Sequence, residues 1–172
     1  MNPMRWLAAL SAAVILAVTV GASKTAQAGQ VVGYNGNYSA GTVVVKTGER
    51  SLYYVLGSGK AVRYSVGVGR AGKQWTGTSI ITGKYLRPAW SPPAEVKRDK
   101  PFLPNVIAGG SGRNPMGAAA LTLSAGEYAI HGTNQPGSIG GSVSYGCIRM
   151  HNSDVLDLYN RVSFGTTVVV TR

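Results

Sequence analysis

The 172-residue chain reads as one mainly β domain, a sandwich or curled sheet carrying one helix. Three observations lead there. Short β-branched and aromatic runs recur between glycine-rich turns, which is the signature of successive strands. Only Val155, Leu158, Tyr159 and Val162 repeat at helical spacing, so one helix is expected. Residues 29–172 have a length suited to a single hydrophobic core, and no repeat or linker divides them.

The chain opens with a targeting segment. Arg5 supplies a positive start, Trp6 to Val20 is apolar apart from Ser11 and Thr19, and Ala26-Gln27-Ala28 offers the small residues of a cleavage site. Residues 1–28 are therefore read as a signal peptide, with Gly29 as the mature start and export as the destination. The apolar run is shorter than the ~20 residues of a membrane-spanning helix. Residues 29–40, rich in Gly, Asn, Ser and Tyr, read as a flexible lead-in to a domain at 41–172.

Strands are expected at Thr42–Thr47 and Ser51–Leu56, joined by a turn at Gly48-Glu49-Arg50. The turn Gly57-Ser58-Gly59-Lys60 leads into a third strand at Ala61–Val68, so the sheet begins as an antiparallel meander. The next stretch, Gly67-Val68-Gly69-Arg70-Ala71-Gly72-Lys73, fits the G-x-G-x-x-G pattern of dinucleotide sites. That motif must open a helix, and Gln74-Trp75-Thr76-Gly77 is no helix start. A glycine-rich turn between strands is the better reading.

A strand at Ser79–Tyr85 precedes a long irregular excursion, Arg87 to Gly117, with six prolines and four glycines. Loops of this length in compact domains tend to be substrate walls or lids. Trp90 within it suits an aromatic wall, although packing against the core is the more ordinary use of a tryptophan. Strand character returns at Leu121–Leu123 and Glu127–Ile130, the second ending at His131. Residues 132 to 143 read as a mobile loop able to cover the segment that follows. Asn152 or Ser153 caps the expected helix, and Thr166–Thr171 forms a last strand.

Composition narrows the function classes. Setting aside Arg5 and Lys24 takes the 17 basic residues to 15, against 6 acidic ones. Such a surface attracts anionic partners, cell-wall polymer or lipid headgroups for an exported chain, or simply keeps it soluble. The basic residues are spread without the clusters of a phosphate track, so no nucleic acid is expected as partner. A single cysteine, Cys147, forms no internal disulfide.

Cys147 stands sixteen positions after His131, one of two histidines. A thiol with an imidazole nearby is the minimum set for covalent acyl transfer, because the thiolate attacks and the imidazolium later protonates the leaving amine. Gly146 allows a tight turn beside the thiol, where main-chain N–H groups face a developing oxyanion. A lone cysteine is more often an inert buried residue. Zinc held by His131, Cys147 and His151 is the competing use, but no carboxylate sits at ligand spacing, and no metal is expected.

The segment around these residues settles the weighting. His131-Gly132, followed by Ser144-Tyr145-Gly146-Cys147-Ile148-Arg149-Met150-His151-Asn152, resembles the catalytic motif of the L,D-transpeptidase family. Val43–Gly69 and Asn114-Pro115-Met116-Gly117 also resemble it, so the likeness runs over roughly residues 41 to 171. Tyr145 departs from the pattern, since many members carry a second histidine there.

The resemblance implies an L,D-transpeptidase-like β domain with its helix after the catalytic Cys segment. It implies Cys147 as nucleophile, His131 as base, and the Gly132 carbonyl as the group that orients the imidazole. Backbone N–H groups of Tyr145, Gly146 and Cys147 would form the oxyanion hole, with Ser144 holding the loop or contacting substrate. Arg149, Thr133 and Asn134 are the implied substrate-binding residues, Arg149 either gripping a carboxylate or locking the loop. The implied activity is cofactor-free acyl transfer on peptidoglycan tetrapeptide stems in the periplasm or cell envelope. It would give 3→3 cross-links or attach an outer-membrane protein to the wall. Hydrolysis by an L,D-carboxypeptidase, or wall binding without catalysis, are the alternatives.

Overall fold

A computed structural model describes residues 28–172; the signal-peptide reading of the N-terminus falls, except for Ala28, outside the described residues. The expected meander is present as β2 (Val43–Lys46), β3 (Ser51–Gly57) and β4 (Lys60–Gly69). Successive positive φ angles at Gly57, Ser58 and Gly59 make the tight turn between the last two strands. β2 reads as an unbroken valine run because both its faces are covered. Val43 and Val45 enter the main core, while Val44 enters a smaller cluster with Tyr34, Tyr53 and Ala61.

That smaller cluster corrects the reading of residues 29–40. Gln30–Gly33 form β1, paired antiparallel with β4, and Tyr34 is buried against Tyr53 with ring centroids 5.1 Å apart. No alternation marks these residues, because β1 is an exposed edge whose only deep anchor is Tyr34.

β5 (Gly77–Leu86), β6 (Ala119–Leu123), β7 (Ala129–His131), β8 (Ser142–Ser144), β9 (Ile148–Met150) and β10 (Thr167–Thr171) complete the sheet. Its strands run in the order β4-β3-β2-β10-β5-β6-β7-β9, and β9 pairs back onto β4, so the sheet closes on itself. β4 makes this possible by its length. Its first half pairs with β3 and β1, and its second half with β9 and β8. The interior is filled by Leu52, Tyr64, Ile81, Leu121, Ile130 and Met150, all 1% exposed or less.

The expected helix is α2 (Asn152–Arg161), directly after β9, with Val155 and Leu158 buried beneath it. A second, shorter helix, α1 (Ala94–Asp99), lies in the excursion between β5 and β6, where only an irregular path was expected. At six residues it is too short to display an apolar repeat, and Val96 is its one buried residue. The Gly67–Lys73 stretch is the end of β4 and a turn closed by Lys73 N–H on the Arg70 carbonyl at 2.8 Å; no helix follows.

Candidate active site

β7 and β9 are parallel neighbours, with Ile130 opposite Ile148 and His131 opposite Arg149. Side chains alternate along a strand, so His131, Arg149 and the residue two before Arg149 face the same way. That residue is Cys147. Its sulfur sits 4.0 Å from the Glu127 carbonyl, at the mouth of β7. The chain between them thus returns the thiol to the start of β7, level with Ala129 and two residues along the strand from His131.

The two side chains open into one cleft of about 770 Å3. The excursion supplies its far wall through Trp90, Val96, Leu103 and Ile107. Trp90 therefore faces the cleft and belongs to neither core cluster. Asn114, 2% exposed, fastens this wall from within. Its amide donates to the carbonyls of Pro88, Ile107 and Ala108 at 2.8–3.2 Å and accepts from Met116 N–H at 2.9 Å.

The His131 Nδ1–H donates to the Gly132 carbonyl at 2.7 Å, which leaves Nε2 as the basic nitrogen. Burial first, and the Arg149 guanidinium second, push the imidazole from 6.5 down to about 4, against the opposing pull of the Gly132 and Pro115 carbonyls. Burial likewise raises the Cys147 thiol, while an Ala129 main-chain contact and Arg149 work to lower it. Burial thus favours the uncharged form of both groups within the cleft.

Ser144 staples the turn that carries Cys147. Its hydroxyl donates to the Cys147 carbonyl at 2.6 Å and accepts from Gly146 N–H at 3.1 Å. The Gly146 N–H is therefore engaged already and cannot serve an oxyanion as expected, which leaves those of Tyr145 and Cys147. Gly146 itself has φ of 124°, and a side chain there would overlap the Tyr128 ring. Tyr128 stacks on Trp75 at 5.0 Å with 7° between planes, and the Trp75 indole N–H donates to the Gly146 carbonyl at 3.0 Å. Neither aromatic was expected at the site. A tryptophan straight after a glycine-rich turn was the one available signal.

The remaining expected residues divide. Arg149 lines the cleft, donates to Ser138 Oγ at 3.0 Å, and has a buried Nε with no partner among the described residues. It locks the 132–143 loop and keeps an unused donor. Asn134 lines the cleft. Thr133 does not: it is 2% exposed, and its hydroxyl accepts from Gln135 N–H at 2.9 Å, so it shapes the loop and cannot meet substrate. The loop is pinned along β4 by Val68 N–H on Gly141 O and Gly140 N–H on Val66 O, where a cover for the thiol was expected.

Asn152 is no helix cap; His151 occupies that position, without a side-chain bond. The Asn152 amide instead accepts from Ala118 and Thr133 N–H and donates to the Thr133 carbonyl, each at 3.0 Å. It ties the start of α2 to the strand end bearing His131. His151 lies at a separate hollow of about 380 Å3 beside Asp154, and among the described residues no three metal-ligating side chains converge.

The family model for the L,D-transpeptidase catalytic domain, YkuD, matches residues 40–170. The probable L,D-transpeptidase YbiS of Escherichia coli is 36% identical over 136 residues, which are 73% of this chain and 43% of that protein. A Brucella melitensis crystal structure described as a probable carnitine operon oxidoreductase, caia, is 42% identical with TM-score 0.54, and the match covers 83% of this chain and 92% of that one. An L,D-transpeptidase from Mycobacterium smegmatis shares the fold at TM-score 0.61 and 17% identity, over 76% of this chain and 58% of its own. The chain spans less than half the length of YbiS.

Proposed function

The chain belongs to the L,D-transpeptidase catalytic-domain family, and from that premise we propose that it is an exported cysteine acyltransferase acting on peptidoglycan tetrapeptide stems. The observation that carries this reading is the cleft in which the Cys147 thiol and an oriented, neutral His131 share one face beside an unused Arg149 donor. Export rests on the N-terminal run of Trp6 to Val20 and the small residues before Gly29.

In this mechanism His131 Nε2 takes the thiol proton as sulfur attacks the carbonyl of the third stem residue at its L-centre. The N–H groups of Tyr145 and Cys147 receive the oxyanion, and Arg149 holds a stem carboxylate. As the tetrahedral centre collapses, the bond to the terminal D-Ala nitrogen breaks and imidazolium protonates that amine. The thioester then accepts an amine, which loses its proton to His131 as the sulfur leaves.

An acceptor amine from a second stem gives a 3→3 cross-link, and one from an outer-membrane protein attaches that protein to the wall. Oxidoreduction, the activity in the name of the Brucella protein, finds no dinucleotide site at the glycine-rich stretch of this chain. The Gly67–Gly72 stretch continues a strand and a turn, and has no helix N-terminus to receive a pyrophosphate.

Incubating the purified protein with disaccharide-tetrapeptide, with Cys147→Ala as control, tests the proposal by product mass. A dimer lacking one D-Ala supports transpeptidation. Tripeptide alone redirects the assignment to hydrolysis. Absence of any Cys147-dependent product refutes catalysis on this substrate.

A further inference from the structure

Tyr145 stands where the chain departs from the family pattern, and its side chain does something the catalytic reading does not require. The ring lies under the Arg70 guanidinium, 4.0 Å from carbon to centroid. Its hydroxyl donates to Asp99 Oδ2 at 2.8 Å, and Arg70 Nη2 donates to the same oxygen at 2.9 Å. These three residues come from three separate segments. Tyr145 belongs to the nucleophile turn, Arg70 to the turn after β4, and Asp99 ends α1 in the cleft's far wall. A second tie, the ion pair of Lys73 with Glu95, joins the same turn to the same helix.

We propose that Tyr145, Arg70 and Asp99 form a clasp that fixes the α1 wall against the nucleophile segment and so sets the width of one end of the substrate cleft. The stem peptide class is that of the proposed function, on which this inference rests. Tyr145 is then a positioning residue through its side chain, distinct from any use of its backbone N–H.

The geometry favours a shared device over three independent surface contacts. One carboxylate oxygen receives both donors, and the guanidinium that pairs with it also covers the ring of the other donor. Removing any member leaves the other two without a complete partner set. Arg70 first, and the Tyr145 hydroxyl second, hold the Asp99 carboxyl below its usual range, so the acceptor stays charged at neutral pH. Exposed ion pairs are individually weak. A clasp of this kind therefore biases where the wall rests and leaves the fold intact.

Asp99→Asn and Tyr145→Phe, singly and together, provide the test, with hydrogen exchange on residues 94–103 as a readout that needs no turnover. The clasp predicts that each single variant speeds exchange there by roughly 2- to 5-fold, the range expected for one exposed contact. The double variant should do no more than Asp99→Asn alone, because the bond that Tyr145→Phe removes ends on the Asp99 carboxylate. With tetrapeptide as substrate, KM should rise by a similar factor while kcat holds. Additive effects, unchanged exchange, or a fall in kcat at constant KM would each overturn the clasp. Absence of turnover in the unmodified protein would sink the proposed function and leave the exchange result to decide the clasp.

Discussion

His131 carries the sharpest expectation at the residue scale. An imidazole whose value is lowered from 6.5 to about 4 stays neutral, and so competent as a base, well into acid solution. The acid limb of kcat/KM should therefore fall near pH 4, not near 6.5. The same shift acts on stability. Between those values the unfolded chain binds a proton that the folded chain does not, so stability is full above pH 6.5 and declines as pH falls towards 4. The loss is on the order of 3 kcal/mol. Urea unfolding of the protein and of His131→Gln across that window measures it, and an unchanged slope in the variant would remove His131 as the cause. Gly146 is the second residue-scale case. Alanine there meets the Tyr128 ring at a φ that suits glycine, and should destabilise the fold by about 2–4 kcal/mol. The displaced nucleophile turn should also lower kcat by roughly 100-fold, read on the folded fraction.

Between elements, two side chains fasten the site, and each can be removed. Asn152 satisfies two N–H groups and one carbonyl at the junction of α2, β7 and the segment before β6. Asn152→Ala leaves them unpaired in a half-buried space, at about 2–4 kcal/mol, measurable as a fall in melting temperature. Trp75→Phe keeps the stack on Tyr128 but loses the bond to the Gly146 carbonyl. It should lose about 1 kcal/mol of stability and retain less activity than its stability predicts. Equal stability with full activity would show that Trp75 is packing only. Legibility follows element length and periodicity. The meander and α2 were readable because their apolar repeats persist over several residues. β8 and β9 have three residues each, too few to show alternation, and sit among glycines and serines. The cysteine and histidine were readable from the motif around them. Trp75, Tyr128 and Asn152 were not readable as a cradle, because their partners are brought close only by strand pairing distant in sequence.

At the scale of the whole molecule, the closed sheet brings the two halves of one sequence motif, at His131 and at Cys147, to a single cleft. β4 pairs with the meander at one end and with β8 and β9 at the other, so the core that stabilises the fold also positions Cys147. What remains is the charge outside that core. The 15 basic and 6 acidic residues beyond position 28 leave a formal +9. Four basic residues, Lys46, Arg70, Lys73 and Arg161, are paired with acids among the described residues. Others, including Arg50, Lys60, Arg87, Arg98 and Arg113, are exposed on separate elements. Their attraction for an anionic polymer is long-range and unspecific, and it decays as the screening length shortens from ~30 Å at 0.01 M salt to ~8 Å at 0.15 M. Retention of the protein on isolated cell-wall sacculi should therefore fall steeply over that range. Turnover of a single soluble disaccharide-tetrapeptide, which meets only the cleft, should change little. If both fall together, the charge acts within the cleft, at Arg149 and Arg113. If neither falls, the basic surface serves solubility alone and the cleft finds its substrate without electrostatic help.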